Sequence, residues 1–132
     1  MELDMDRSAP GVLSTIEAYF DLMYDADDAH FPKVFHELCQ VHGLRDGKLM
    51  AWSAPEFRKL MRSRPSPAST GSPRQQEIMG VDEIAPDVAA AKVRVRIGQT
   101  CFLDHLVLHR LNGKWLITSK GFHVERVLPP GS

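Results

Sequence analysis

The chain has 132 residues, the length of one domain with a single core, and its 16 Lys and Arg residues nearly balance its 17 Asp and Glu residues. The formal net charge of -1 argues against nucleic acid or an anionic membrane as the main partner, because both require a basic excess. Hydrophobic residues make up 43% of the chain, yet no apolar run approaches the roughly 20 residues that span a bilayer.

Cysteine usage and the N-terminus indicate the compartment. Cys39 and Cys101 form no C-x-x-C motif and suggest no disulfide framework. The opening MELDMDRSAPG is acidic and lacks the apolar core of a secretory signal. We therefore expect a reduced, cytoplasmic protein.

Two helical segments are predicted at the start of the chain. In the first, Ser8 is the expected cap and Pro10 lies in the first turn, and the helix extends to about Asp25. Pro32 predicts that the second helix is short or split, since proline removes a helical hydrogen bond. The buried stripe of the first helix consists of Val12, Ile16, Tyr19, Phe20 and Met23.

Two short strands, a helix and a loop follow. Gln40–Leu44 and Lys48–Trp52 flank the hairpin signal Asp46-Gly47, and the helix over residues 54–62 has Ser53 as its cap. Residues 63–74, SRPSPASTGSPR, are rich in proline and serine and predict a mobile loop, not a domain boundary.

The second half of the chain predicts four strands. A strand over 76–84 leads into the alternating run 89–97, which places aliphatic side chains on one face and Lys92, Arg94 and Arg96 on the other. We interpret this cationic row as a solvated face, with a site for acidic partners as the alternative.

The last two strands form a hairpin around Asn112-Gly113, a strong signal for a two-residue loop. A tight turn there predicts that Leu106 pairs with Ser119, Asp104 with Gly121 and Phe102 with His123. Side chains alternate between the faces of a strand, so Asp104 and His123 are expected at one end of an otherwise apolar face. This arrangement predicts a pocket.

Early helices followed by an antiparallel sheet predict an α+β fold with the helices on one face of the sheet. The other face carries too many apolar side chains for a face left in water, and a second copy of the sheet would cover it. We therefore predict a homodimer through this outer face, with Cys101, Leu103, Val107, Leu111, Leu116 and Phe122.

The order of these elements and their motifs resembles the nuclear transport factor 2-like superfamily, and within it the small bacterial group labelled lumazine-binding. The motifs are W-S-x-x-E-F before the proline-rich loop and D-x-L-x-L-x-R-L-N-G-x-W-x-I-x-x-K-x-F-H at the end. The matching residues are Tyr19-Phe20, Phe35-His36, Arg45-Asp46-Gly47, Trp52, Phe57, Arg64-Pro65-Ser66-Pro67, Asp104, Gly113, Trp115, Lys120, Phe122 and His123.

The resemblance implies a single domain over residues 1–132, structured from about 10 to 126: a cone-shaped, strongly curved sheet wrapped around the N-terminal helices, or cystatin-like roll. It also implies a pocket at the wide end and a dimer. The superfamily includes ketosteroid isomerase, dehydratases and cyclases beside modules without catalysis, so the fold leaves the function open.

Asp104 and His123 are the candidate catalytic pair, because a carboxylate that orients an imidazole prepares it as a general base. Tyr19 is the candidate assistant, since a buried phenol needs a polar partner. The alternatives are a structural Asp–His pair, Asp104 bonded to Lys120 or to backbone, and non-catalytic contact with a ligand.

We expect a small apolar or aromatic ligand and no cofactor or metal, because the histidines show no paired ligand spacing. The leading hypothesis is a small-molecule-binding domain; the alternatives are an acid–base isomerase, dehydratase or cyclase, and a non-catalytic interaction module. The expected ligand-binding residues are Phe20, Met23, Phe35, His36, Trp52, Met61, Phe102, Leu106, Trp115 and Ser119.

Overall fold

A computed structural model describes the backbone of residues 2–132 and the side chains of residues 11–132. The helices are α1 (Glu2–Asp25), a 3-10 turn (Asp28–His30), α2 (Phe31–Val34) and α3 (Ala54–Arg62). The strands are β1 (Phe35–Arg45), β2 (Lys48–Ser53), β3 (Gln76–Ala85), β4 (Val88–Ile97), β5 (Thr100–Leu111) and β6 (Lys114–Val127).

The strands form one curved, unclosed sheet in the order β2-β1-β6-β5-β4-β3, in which only the β1–β6 pair is parallel. The helices pack against one face of the sheet, which we call the inner face, and the core lies between the helices and this face. The predicted α+β class with a curved sheet is confirmed, and the sheet is mixed. Among the described residues, no helix is both long and apolar enough to cross a membrane.

Local sequence explains how the helices begin and end. α3 starts with a capping box, in which Ser53 and Glu56 bond each other's backbone N–H groups, as the predicted Ser53 cap requires. The second helix is split near Pro32, also as predicted. α1 starts at Glu2, ahead of the predicted start just after Ser8, and the capping role of Ser8 lies outside the described side chains. All five residues of its predicted stripe are buried.

The β5–β6 hairpin corrects the predicted strand register. The two-residue loop at Asn112-Gly113 is confirmed, and pairing follows the prediction as far as Leu108 and Ile117. Beyond this pair Val107 pairs with Ser119, so Thr118 is an extra residue in a β-bulge. Beyond the bulge, each side chain of β6 points to the face opposite to the predicted one. Every predicted pair in that part of the hairpin is therefore wrong by one residue.

As a result, Phe122 lies on the inner face, not on the predicted outer dimer face. Its ring crosses Gly43 of β1, where an added Cβ would lie 2.2 Å from the ring, and it packs against Trp52 and Phe102. A glycine is needed at position 43 because the ring occupies the space of a side chain.

The cationic row on β4 is only partly solvated. Lys92 is exposed and Arg94 is half-buried, but Arg96 is 5% exposed. Its guanidinium donates to the carbonyl oxygens of Gly98 and Ser132. Arg96 therefore ties the β4–β5 turn to the C-terminus, which the alternation in sequence did not predict.

The segment 63–75 between α3 and β3 contains turns and is attached to α1. The Ala68 N–H donates to the Tyr24 carbonyl, and the Tyr24 hydroxyl donates to the Ser72 carbonyl. These bonds hold the segment beside the end of α1; its predicted mobility remains a prediction.

Candidate functional site

A cavity lies between the inner face of the sheet and α3. The cavity has a volume of about 40 Å³, which is room for a few ordered water molecules. Its walls are mainly aromatic, and its polar lining is basic. The lining residues are Arg45, Trp52, Phe57, Leu60, Arg64, Ile97, Phe102, Lys120 and Phe122.

A buried polar group of three side chains from different elements adjoins the cavity. The Tyr19 hydroxyl of α1 donates a short hydrogen bond to Asp104 Oδ2 of β5. Lys120 Nζ of β6 lies 3.7 Å from the same oxygen. Asp104 is 2% exposed and Lys120 is 5% exposed, so this is an ion pair removed from water. The alternative in which Asp104 contacts Lys120 is thus the arrangement that the structure has.

Asp104 Oδ1 is the exception in this group. It is buried and has no hydrogen-bond partner among the described residues. A buried carboxylate oxygen without a hydrogen-bond partner destabilises the fold, because no hydrogen bond compensates the free energy of its desolvation. The pair is therefore incompletely satisfied on the Oδ1 side.

Aromatic rings and burial set the electrostatics of the group. Lys120 Nζ lies 5.0 Å from the centre of the Tyr19 ring and 4.8 Å from that of Phe57, within range of cation–π attraction. Burial lowers the pKa of Lys120, and the positive charge of Arg64 lowers it further, while Asp104 opposes both. Burial, and then the negative charge of Asp104, raise the pKa of Tyr19 well above its usual value. Tyr19 thus remains a hydrogen-bond donor at neutral pH.

Two arginines, Arg45 from the end of β1 and Arg64 from the start of the 63–75 segment, complete the basic lining. Both are exposed as residues, so they lie at the mouth of the cavity. Partial burial of its guanidinium lowers the pKa of Arg64, and the nearby charge of Arg45 lowers it further. The mouth of the cavity therefore carries two like charges.

The predicted Asp104–His123 contact is wrong. After the bulge at Thr118, His123 pairs with Leu103 and is exposed on the outer face, whereas Asp104 points inward. Ser119 pairs with Val107 and faces outward for the same reason. Neither His123 nor Ser119 lines the cavity.

The other predicted ligand-binding residues separate into three sets. Trp52 and Phe102 line the cavity. His36 lies on β1, where its Nδ1 accepts a hydrogen bond from the Leu38 N–H and its side chain lines a different cleft. The remaining residues are buried in the core: Phe20, Met23, Phe35, Met61, Leu106 and Trp115.

No pattern in the sequence predicted the basic lining of the cavity. Lys120 follows the bulge, and without that bulge the alternation places it on the outer face with Phe122. Arg45 ends a strand and Arg64 begins a proline-rich segment, so neither has a periodic pattern around it. Arg45, Arg64 and Lys120 do belong to the residues that match the nuclear transport factor 2-like superfamily. This match was the one sequence feature that could have identified them as site residues.

In the part of the chain with described side chains, no group of three or more His, Cys, Asp or Glu residues is arranged to hold a metal ion. The polar groups that line the cavity are instead an ammonium and two guanidinium groups. The Asp104 carboxylate lies next to the ammonium of Lys120 and is bonded in turn to the phenol of Tyr19. This set can bind an organic molecule by hydrogen bonds and charge, and can transfer protons.

The curved sheet with helices on its inner face is the fold of the nuclear transport factor 2-like superfamily. A family model described as "Putative lumazine-binding" matches residues 7–123, and the chain belongs to this family. A search of curated proteins found no match.

Several solved structures are similar to this chain. An "NTF-2 like protein of unknown function" from Silicibacter pomeroyi has a TM-score of 0.81 at 19% identity, over 92% of this chain and 98% of that chain. An "NTF2-like protein of unknown function" from Methylobacillus flagellatus has a TM-score of 0.76 at 23% identity, over 89% and 92%. A "ketosteroid isomerase-like protein" from Erwinia carotovora atroseptica has a TM-score of 0.68 at 12% identity, over 89% and 95%. At these identities the likeness shows the fold alone.

Proposed function

We propose that this protein binds a small organic molecule in the aromatic cavity, with the buried Asp104–Lys120 pair beside the bound ligand. The observation that carries the proposal is the buried, unpartnered Oδ1 of Asp104 in a pair that adjoins this cavity. Buried ion pairs need further hydrogen bonds to offset their desolvation, and a ligand can provide one. The family description, which names lumazine, supports a small-molecule ligand for this chain.

Native mass spectrometry of freshly purified protein tests the proposal. We expect a retained compound in the wild type and in a Leu49→Trp variant, since Leu49 is 65% exposed on β2, away from the cavity. A Leu60→Trp variant, which fills the cavity, should lose the compound. Lumazine and a set of small aromatic fragments should then shift NMR signals of Trp52 and Phe102. If no compound is retained and no such NMR shift is seen, ligand binding is refuted. That outcome would favour a filled, non-catalytic interaction module.

The second candidate is an acid–base enzyme, an isomerase, dehydratase or cyclase, in which Asp104 Oδ1 accepts a proton from a carbon beside a carbonyl group. The hydrogen bond from Tyr19 to Oδ2 and the free Oδ1 favour it, because they orient the carboxylate and leave one oxygen for a substrate. The test is exchange of deuterium into ketone probes. Asp104→Asn should abolish the exchange, whereas an exposed-site variant, Asp87→Asn, should retain it.

We also propose that the outer face of the sheet forms a homodimer. Leu103, Val107 and Leu116 are only half-buried there, and Leu111 is 42% exposed. Sedimentation should show a dimer for the wild type and a monomer for Val107→Glu. Ile84→Glu on the edge strand β3 is the control and should remain dimeric, and a monomeric wild type would refute the proposal.

A further inference from the structure

The lining of the cavity has an unbalanced charge. Of its nine residues, Arg45, Arg64 and Lys120 are basic and none is acidic. Asp104 neutralises Lys120 from behind, so the two arginines at the mouth provide the excess positive charge. An aromatic cavity with a basic mouth attracts a molecule with the opposite charge.

The two mouth arginines differ from most arginines of the surface. Arg58, Arg62, Arg74, Arg94 and Arg110 each lie within 4.0 Å of a carboxylate, so their charges are compensated. Within residues 11–132, no carboxylate lies at salt-bridge distance from Arg45 or Arg64. Both line the same cavity instead, and the charge of Arg45 adds to burial in lowering the pKa of Arg64.

Like charges held together without a counter-charge are unfavourable, and an anion between them removes the repulsion. A guanidinium group also matches a carboxylate geometrically, because its parallel N–H groups can bond both oxygens. The ring of such a ligand would contact Trp52, Phe102 and Phe122. These three rings already form one aromatic cluster, with centres 5.9 Å apart for Trp52–Phe122 and 6.0 Å apart for Phe102–Phe122.

We propose that the ligand of this cavity is a small aromatic molecule carrying a carboxylate, with the ring among the cavity aromatics and the carboxylate between Arg45 and Arg64. This inference rests on the proposed function and adds the charge and orientation of the ligand. The free cavity holds only a few water molecules, so the mouth side chains move outward when the ligand enters.

The test compares 2-naphthoate with 2-naphthamide, which has nearly the same shape but no charge, by titration of tryptophan fluorescence. We expect 2-naphthoate to bind about tenfold more tightly, the effect of one charge-assisted hydrogen bond, and to lose this advantage at high salt. Arg64→Gln and Arg45→Gln should each weaken 2-naphthoate severalfold and leave 2-naphthamide unchanged.

Arg62→Gln is the matched control. It removes the same charge two positions from Arg64, but Arg62 pairs with Asp28 and does not line the cavity, so both affinities should be retained. Equal affinities for the two probes, or an equal loss of 2-naphthoate affinity in Arg62→Gln and Arg64→Gln, would overturn the proposed charge of the ligand. Neither result would contradict the proposed ligand binding itself. If neither probe binds and no compound is retained, the proposed function is refuted together with this inference.

Discussion

Removal of one charge from the buried Asp104–Lys120 pair should strongly destabilise the protein. Lys120→Met keeps the length and apolar stem of the side chain but leaves Asp104 buried at 2% exposure without its cation. Breaking such a pair costs about 3–5 kcal/mol, a large part of the roughly 5–15 kcal/mol that stabilises a typical domain. With a slope of about 1.5–2 kcal/mol per molar urea, the unfolding midpoint should fall by about 2 M.

The assay is urea unfolding followed by tryptophan fluorescence. The triple variant Tyr19→Phe/Asp104→Leu/Lys120→Met replaces all polar partners by apolar groups of similar size, so it should recover to within about 1 kcal/mol of the wild type. The control, Arg110→Met, breaks an exposed pair with Asp87 and should cost less than about 1 kcal/mol. A loss below about 1 kcal/mol for Lys120→Met, or a triple variant less stable than the single one, would refute the reasoning.

Three further predictions concern packing, a thiol and a helix cap. Gly43→Ala should lower the free energy of unfolding, measured in urea, by about 1–3 kcal/mol, because the added Cβ would overlap the Phe122 ring. The control is Gly121→Ala, whose Cβ would have nothing within 4 Å and which should lower the free energy of unfolding less. Burial raises the pKa of Cys39 to about 11, so the native thiol should resist alkylation at pH 9. The folded state keeps a proton that the unfolded state releases, so stability should fall between pH 9 and about 11 relative to Cys39→Ala; an equal pH slope in both proteins would contradict this. Ser53→Ala removes the capping box and should lower stability by about 1 kcal/mol, and an unchanged thermal midpoint would count against it.

Features that depend on neighbours in sequence could be predicted from the sequence. The Asn112-Gly113 turn follows from two residues that accept positive φ, and α3 follows from Ser53 at its cap. The stripe of α1 follows from helical spacing, and the inward position of Asp104 follows from alternation on β5. In each case the local backbone alone fixes the direction of the side chain.

The tertiary structure decided which groups meet. No turn residue or break in the alternation near Thr118 predicted the bulge, in which β6 has one residue more than β5 between two neighbouring pairs. It turns Lys120 inward and His123 outward, and so gives Asp104 an ammonium partner in place of an imidazole. The sequence by itself determined that an acid would lie on the apolar inner face. Its partner depended on the register of β6, which a single extra residue changes, and only the folded sheet sets that register.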